Sequence, residues 1–254
     1  MSRRAELRLR LATWNIHSGI GGDGYHDMER IVSVLKEIDA DVVGLQEVGW
    51  HRRTHHRIDH FAYLRDHTGY TVVEGLVRDP LRAQFGNALL TRLPLERTQW
   101  VDLKIRGHVP RAALFAELRA ESLRLQMTVL HLGLTVWERE RQVRRLLETL
   151  SRQDAPQREG ATEAAPAEEA APPSVLLGDF NMLRRRTRAS AILAERFPTC
   201  VRKPTYPTRR PQLSLDRIYL SPHWEVTEER VFAQGAALDA SDHLPLIADA
   251  RLKI

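Results

Sequence analysis

Apolar positions in this chain recur at two spacings, one for strands and one for helices. Residues 7–15 alternate and then turn apolar, as Leu-Arg-Leu-Arg-Leu-Ala-Thr-Trp-Asn, which predicts a strand entering a core. Gly19, Gly21, Gly22 and Gly24 interrupt the pattern and predict a loop. Met28, Ile31, Val32, Leu35 and Ile38 then fall at helical spacing. Residues 41–48 read as a second buried strand and residues 61–68 as a helix. Strands are predicted at 70–77, 88–92, 99–105, 112–119 and 123–132. Residues 138–150 place Val143, Leu146, Leu147 and Leu150 on one helical face. Beyond residue 173 the pattern predicts a strand at 175–178, a helix at 188–197, a turn-rich stretch at 204–211, and strands at 216–220 and 246–252. Strands outnumber helices and the helices are interspersed, which points to two sheets flanked by helices, an α/β sandwich.

Residues 151–173 break both periods. They are rich in Ala, Glu, Pro and Gln and hold no aliphatic side chain larger than Ala, so they read as a flexible surface insertion. The segment after it is too short to carry the chemistry below alone. The expectation is one domain over residues 1–254 with a floppy loop.

Composition narrows the function classes. With 43% hydrophobic and 28% charged residues in 254, the chain is neither disordered throughout nor fibrous. Its net charge of +5 favours anionic partners without choosing among them. Only Lys36, Lys104, Lys203 and Lys253 are lysines, so 38 − 4 = 34 basic residues are arginines. Arginine suits phosphate, but here it is spread along the chain, as a composition bias would spread it. A single cysteine, Cys200, excludes an internal disulfide and a multi-cysteine metal site. No apolar leader opens the sequence and no apolar run approaches ~18 residues, so a cytoplasmic protein without a membrane span is expected.

Polar residues repeatedly end the apolar strands. Trp14-Asn15 ends the first and Gln46-Glu47 the second. His131 follows another, Asp179-Phe180-Asn181 follows Val-Leu-Leu-Gly, Asp216 opens Leu-Asp-Arg-Ile, and Ser241-Asp242-His243 precedes the last. Groups at neighbouring strand ends can converge on one pocket, held rigidly. Hard oxygen donors without thiolates suit Mg²⁺ or Mn²⁺ rather than zinc.

The ordered set Trp-Asn, Gln-Glu, His, Gly-Asp-Phe-Asn, Leu-Asp-Arg-Ile and Ser-Asp-His resembles the endonuclease/exonuclease/phosphatase (deoxyribonuclease I-like) superfamily, from about residue 9 to residue 252. The resemblance implies a four-layered α/β sandwich, two mostly antiparallel sheets packed face to face with helices outside. It implies a metal-dependent hydrolase of phosphoester bonds. Glu47 would be the principal metal carboxylate, with the Asn15 amide beside it. Asp179 would orient or deprotonate the attacking water. Asn181 would hold a phosphate oxygen, His243 would act on the phosphate, and Asp242 would add charge. Asp216 would fix a histidine tautomer and His131 would be a second imidazole. Asn87, in Gly-Asn-Ala-Leu-Leu, and Arg111 are further candidates for substrate phosphate. His17 departs from the family's apurinic endonucleases, which carry an acidic residue there.

Structural readings compete at each position. Asp179 and Asn181 could form a turn, Asp216 could pair with Arg217, and Asp242-His243 could be a capping or turn pair. The basic run at 51–57 could contact a polyanion or a membrane surface, or be a mobile loop with no partner, whereas Arg184, Arg185, Arg186 and Arg188 could line a phosphate-bearing substrate or be a solvated helix start. The substrate reading is a small or lipid-linked phosphoester. The alternative is a Mg²⁺-dependent endonuclease or exonuclease on DNA or RNA, and a minor one is an inactive binding protein.

Overall fold

The computed structural model describes residues 6–50, 58–77, 84–154 and 171–253. The basic run at 51–57 and most of the 151–173 insertion lie outside the described residues. In chain order the elements are β1 (Arg8–Asn15), a 3₁₀ turn (His17–Gly19), α1 (Met28–Ile38), β2 (Val42–Trp50), α2 (His60–Thr68), β3 (Thr71–Leu76), β4 (Gln84–Thr91), β5 (Leu95–Asp102) and β6 (Ala112–Ala120). They continue with β7 (Leu123–His131), α3 (Val136–Asp154), β8 (Ser174–Asp179), α4 (Arg188–Arg196), β9 (Thr199–Val201), β10 (Asp216–Leu220), β11 (Trp224–Val231), α5 (Ala237–Ala240) and β12 (Leu246–Leu252).

Two six-stranded sheets result, ordered β11-β12-β1-β2-β4-β3 and β5-β6-β7-β8-β10-β9. All neighbours are antiparallel except one central pair in each, β1 with β2 and β7 with β8. Parallel neighbours need a crossover, and α1 and α3 supply it. Each helix entry is fixed by its own chemistry. Asp27 caps α1 by accepting from the backbone of Glu29 and Arg30, and Asp59 does the same for α2. Thr187 and Ser190 form a reciprocal capping box on α4.

Side chains from the facing sheets, such as Leu11, Val42, Met127, Leu177 and Ile218, fill the layer between them. The outer face of the first sheet packs on α1, α2 and α5, and that of the second on α3 and α4. This is the expected sandwich of four layers. Close approach is built in at two glycines. A Cβ on Gly44 would lie 2.7 Å from Leu177 Cβ of the opposite sheet. One on Gly178 would lie 2.2 Å from the Leu130 carbonyl oxygen of the neighbouring strand. No residue with a side chain fits either place.

The helix α3 runs to Asp154, four residues past its apolar stripe. Tertiary contacts draw it out: Asp154 accepts from Gln126 at 3.1 Å and pairs with Arg196 at 2.8 Å. Among the described residues no helix is long and apolar enough to cross a membrane.

Candidate active site

The crossover pairs direct β1, β2, β7 and β8 so that their C-terminal ends meet at one edge of the sandwich. Ligand sites favour such strand ends. Asn15 closes β1, Glu47 lies near the end of β2, His131 closes β7 and Asp179 closes β8. The parallel register sets His131 directly beside Asp179. Asp216, which opens the antiparallel β10, is also paired with Asp179.

Glu47 reaches the site through a bulge. Leu45 faces Ala88 and Val48 faces Gly86, so two residues of β2, Gln46 and Glu47, oppose Asn87 alone. Bulges re-aim side chains. Gln46 turns inward, fully buried, and bonds to Thr13 Oγ1 and the Gly44 carbonyl. Glu47 takes φ of +56° and faces the mouth with its side chain 25% exposed. Of the six described non-glycine residues at positive φ, four flank the centre: His17, Ser18, Glu47 and Asn181. Such conformations cost ~1–3 kcal/mol each and persist only where the surroundings hold them.

His60 holds the far side of the bulge. Its Nδ1 accepts the Gly49 N–H at 3.0 Å, so the neutral ring carries its proton on Nε2, 2.8 Å from His26 Nε2. Burial, and then the neighbouring His26, pull His60 down from 6.5 to about 4. Protonation therefore favours the unfolded chain. Stability is intact above the ordinary histidine value and drains as pH falls toward the folded value, by about 3 kcal/mol at the limit. Urea unfolding of wild type and His60→Gln across that window should show the extra acid loss in wild type only. Equal pH slopes would remove His60 from this role.

The centre itself converges on one atom. Asp179 Oδ2 lies 3.2 Å from Asn15 Nδ2, 3.4 Å from His131 Nε2 and 4.0 Å from His243 Nε2. Its other oxygen accepts the Asn181 N–H at 2.9 Å. Asn15 Nδ2 also reaches Glu47 Oε1 at 3.3 Å, so one amide bridges the two carboxylates. The Asn15 side-chain oxygen accepts from the His17 N–H at 3.0 Å, and its carbonyl accepts from Ser241 Oγ at 2.7 Å. Arg111 Nη1 donates to His131 Nδ1 at 3.1 Å, which leaves the neutral imidazole its proton on Nε2, toward Asp179.

His243 is held from three sides. Its Nδ1 donates to Asp216 Oδ2 at 2.8 Å, its carbonyl accepts from Trp14 Nε1 at 2.8 Å, and the Tyr206 ring lies 4.8 Å from its own. Thr205 Oγ1 donates to the same Asp216 oxygen. Burial alone would push the His243 imidazolium down. Asp216, by charge and by hydrogen bond, and then Asp179 and Asp242, outweigh it and lift it to about 10. Burial first, and then the like charge of Asp216, lift the Asp179 carboxyl to about 6, against His243 and the Asn181 and Asn15 donors. We expect Asp216→Asn to lower the titration midpoint of His243, because the anion favouring its charged form is gone, and to slow turnover by about 10²-fold. NMR titration of His243 in the metal-free protein checks the first part. An unmoved midpoint would free His243 from Asp216.

The remaining expected residues stand at the rim or brace it. Asn181 Nδ2 donates one hydrogen to the Leu132 carbonyl at 3.0 Å, and among the described residues its second has no acceptor. Asn87 Nδ2 donates to the Ala112 carbonyl at 2.9 Å and so ties β4 to the start of β6, beside Arg111. Asp242 turns toward the mouth, with Oδ1 3.9 Å from His17 Nδ1. Arg217 does not pair with Asp216. It is buried and donates to the Met182 and Arg184 carbonyls at 2.8 Å and 3.1 Å, beneath the loop that carries Asn181. Thr205, on Asp216, and His60, behind the Glu47 bulge, brace the site without a sequence signal. One lies in the turn-rich stretch, the other at a helix start.

The chain is 25% identical to the uncharacterized protein YbhP of Escherichia coli K12 over 263 aligned positions, covering 97% of this chain and 98% of that one. An endonuclease/exonuclease/phosphatase structure from Bacteroides vulgatus superposes with a TM-score of 0.74 at 18% identity, covering 97% of this chain and 100% of that one. A mannosyl-6-phosphatase of Bacteroides thetaiotaomicron does so with a TM-score of 0.70 at 17% identity, covering 95% and 99%. At that identity the likeness is one of fold. The sequence match to the model of the Endonuclease/Exonuclease/phosphatase family runs over residues 12–243 and takes in the centre from Asn15 to His243, so the chain belongs to that family.

Proposed function

We propose that the protein is a divalent-cation-dependent phosphoesterase that hydrolyses a phosphodiester or phosphomonoester by in-line attack of water. The observation that carries this reading is the convergence of Asn15, His131 and His243 on Asp179 Oδ2, backed by the Asp216–His243 pair.

The donor set fits a hard cation. Donor atoms of Asp179, Asp216 and His243 lie within 4.8 Å of one another. Two of them, however, are hydrogen-bonded to each other, as a proton relay would be. Glu47 is the open carboxylate. Asn15 holds its Oε1, and among the described residues its Oε2 takes no hydrogen bond. Glu47, oriented by Asn15, would hold Mg²⁺ or Mn²⁺. The bound cation offsets charge on the non-bridging phosphate oxygens.

The side chains supply the rest. Asp179, a stronger base than a surface carboxylate, holds the water and takes its proton. His243, kept protonated by Asp216, donates through Nε2 to a phosphate oxygen or to the leaving group. Asn181 and Arg111 donate to the phosphate, and Asn87 sets the rim that places Arg111. The unpaired thiol of Cys200, half-buried in β9, suits a reducing cytoplasm.

The test is an activity panel with Mg²⁺ and Mn²⁺ on bis-p-nitrophenyl phosphate, sugar phosphates, phospholipid, single-stranded oligonucleotide and plasmid. Cation-dependent turnover, lost on chelation and restored by Mn²⁺, is expected. No turnover of any of these would overturn the reading. Plasmid nicking abolished by Glu47→Ala would assign a nuclease.

A further inference from the structure

We propose that the mouth of this centre seats on an anionic lipid surface, so that the phosphoester it cleaves belongs to a lipid headgroup. This rests on the phosphoesterase reading and names its substrate class. Two loops that leave the centre carry large apolar side chains into solvent. The β7–α3 loop departs from His131 and exposes Leu134 to 70%, and the first turn of α3 that it leads into exposes Val136 to 60% and Trp137 to 47%. The β8–α4 loop departs from Asp179 and exposes Leu183 to 67%. The loops touch: Leu132 N–H donates to the Asp179 carbonyl at 2.9 Å and Asn181 Nδ2 to the Leu132 carbonyl at 3.0 Å. A single exposed leucine needs no explanation, but a cluster beside a reactive centre marks a contact surface.

Both loops are pinned from beneath. Gln142 accepts the Gly133 N–H at 2.8 Å, and buried Arg139 donates to the Gly133 and Leu134 carbonyls. Buried Arg217 holds the Met182 and Arg184 carbonyls. The apolar tips are therefore held outward by a rigid base.

Charge selects the partner. Arg184, Arg185 and Arg186 follow Leu183, all exposed, and no carboxylate among the described residues pairs with them. Apolar side chains flanked by unpaired arginines suit the boundary between anionic headgroups and acyl chains. Nucleobases are a poorer fit. Leucine and valine offer no ring to stack on. The Trp137 ring already has His108 at its edge, 4.8 Å between centroids, and Arg141 over its face at 5.8 Å.

Co-sedimentation with phosphatidylglycerol/phosphatidylcholine vesicles and with phosphatidylcholine vesicles tests this. Wild type should pellet with the anionic vesicles only. Leu134→Ser and Leu183→Ser, on separate loops, should each weaken partition about tenfold, as loss of one leucine's transfer predicts. Changing Arg184, Arg185 and Arg186 together to Gln should weaken it on the order of 10²-fold, as should high salt. Both serine variants should keep wild-type melting and wild-type rates on soluble bis-p-nitrophenyl phosphate. Glu47→Ala should bind vesicles like wild type. Soluble-diester turnover without vesicle binding, or binding indifferent to both serine changes, overturns the lipid surface alone. Vesicle binding without turnover of any phosphoester overturns the phosphoesterase reading alone. Oligonucleotide capture lost in the serine variants, with no vesicle binding, overturns the lipid surface and gives the mouth to nucleic acid.

Discussion

Replacing Glu47 by alanine should remove stimulation by Mg²⁺ and Mn²⁺ and lower turnover by on the order of 10³-fold. The fold should survive, because the Glu47 side chain is part-exposed and contributes one long hydrogen bond, from Asn15 at 3.3 Å. Glycine at the same place makes a sharper test. Glu47 sits at φ +56°, where a residue with a Cβ is strained by ~1–2 kcal/mol. Glu47→Gly should be as inactive as Glu47→Ala yet more stable by about 1 kcal/mol. Isothermal titration with Mn²⁺, initial rates and urea unfolding on the two variants separate the claims. Undiminished Mn²⁺ binding in both would remove Glu47 as the ligand. Equal stabilities would show that the bulge itself relaxes.

The second large effect is expected at Asp179. Asparagine has nearly the same shape but brings an NH₂ group to a carboxylate place ringed by donors. The Asn15 amide and the His131 Nε2 proton both point at Oδ2, and the Asn181 N–H points at Oδ1. At least one donor must go unanswered. The variant also loses the base, so turnover should fall at least about 10²-fold. The pH profile gives the diagnostic sign. A base works as the carboxylate, so wild-type rate should fall as pH drops through the Asp179 value of about 6. The variant should show no such limb. A persisting limb in Asp179→Asn would would assign it to another group.

Much of this architecture could be read from the sequence, for reasons visible in particular elements. The strand β8 is buried at every position, as its unbroken apolar run implies, and α1 buries the residues at the helical spacing. Because buried strands end where they meet a polar requirement, the termini of β1, β2, β7 and β8 announced the centre. Other elements carried no such mark. The strand β11 is bulged between Val226 and Glu228 and mostly exposed, so its alternation is lost. The strand β9 has three residues and α5 four, too few for any period. The competing pairing of Asp216 with Arg217 fails for a simple geometric reason. Successive side chains of a strand point to opposite faces. Asp216 therefore faces His243, while Arg217 faces the loop beneath Asn181.

The closing strand β12 pairs with β1, setting Arg8 opposite Arg251 and Thr13 opposite Leu246. His243 arrives only with that strand, and its carbonyl is then latched by Trp14, 229 positions earlier. During synthesis Asn15 and Glu47 leave the ribosome long before their partners. A nascent chain thus holds half of the proposed centre and should cleave nothing. Contacts this distant in sequence also form slowly. Activity should therefore appear late and all at once in refolding, coincident with docking of the last strand, which makes catalysis itself a reporter of completed folding.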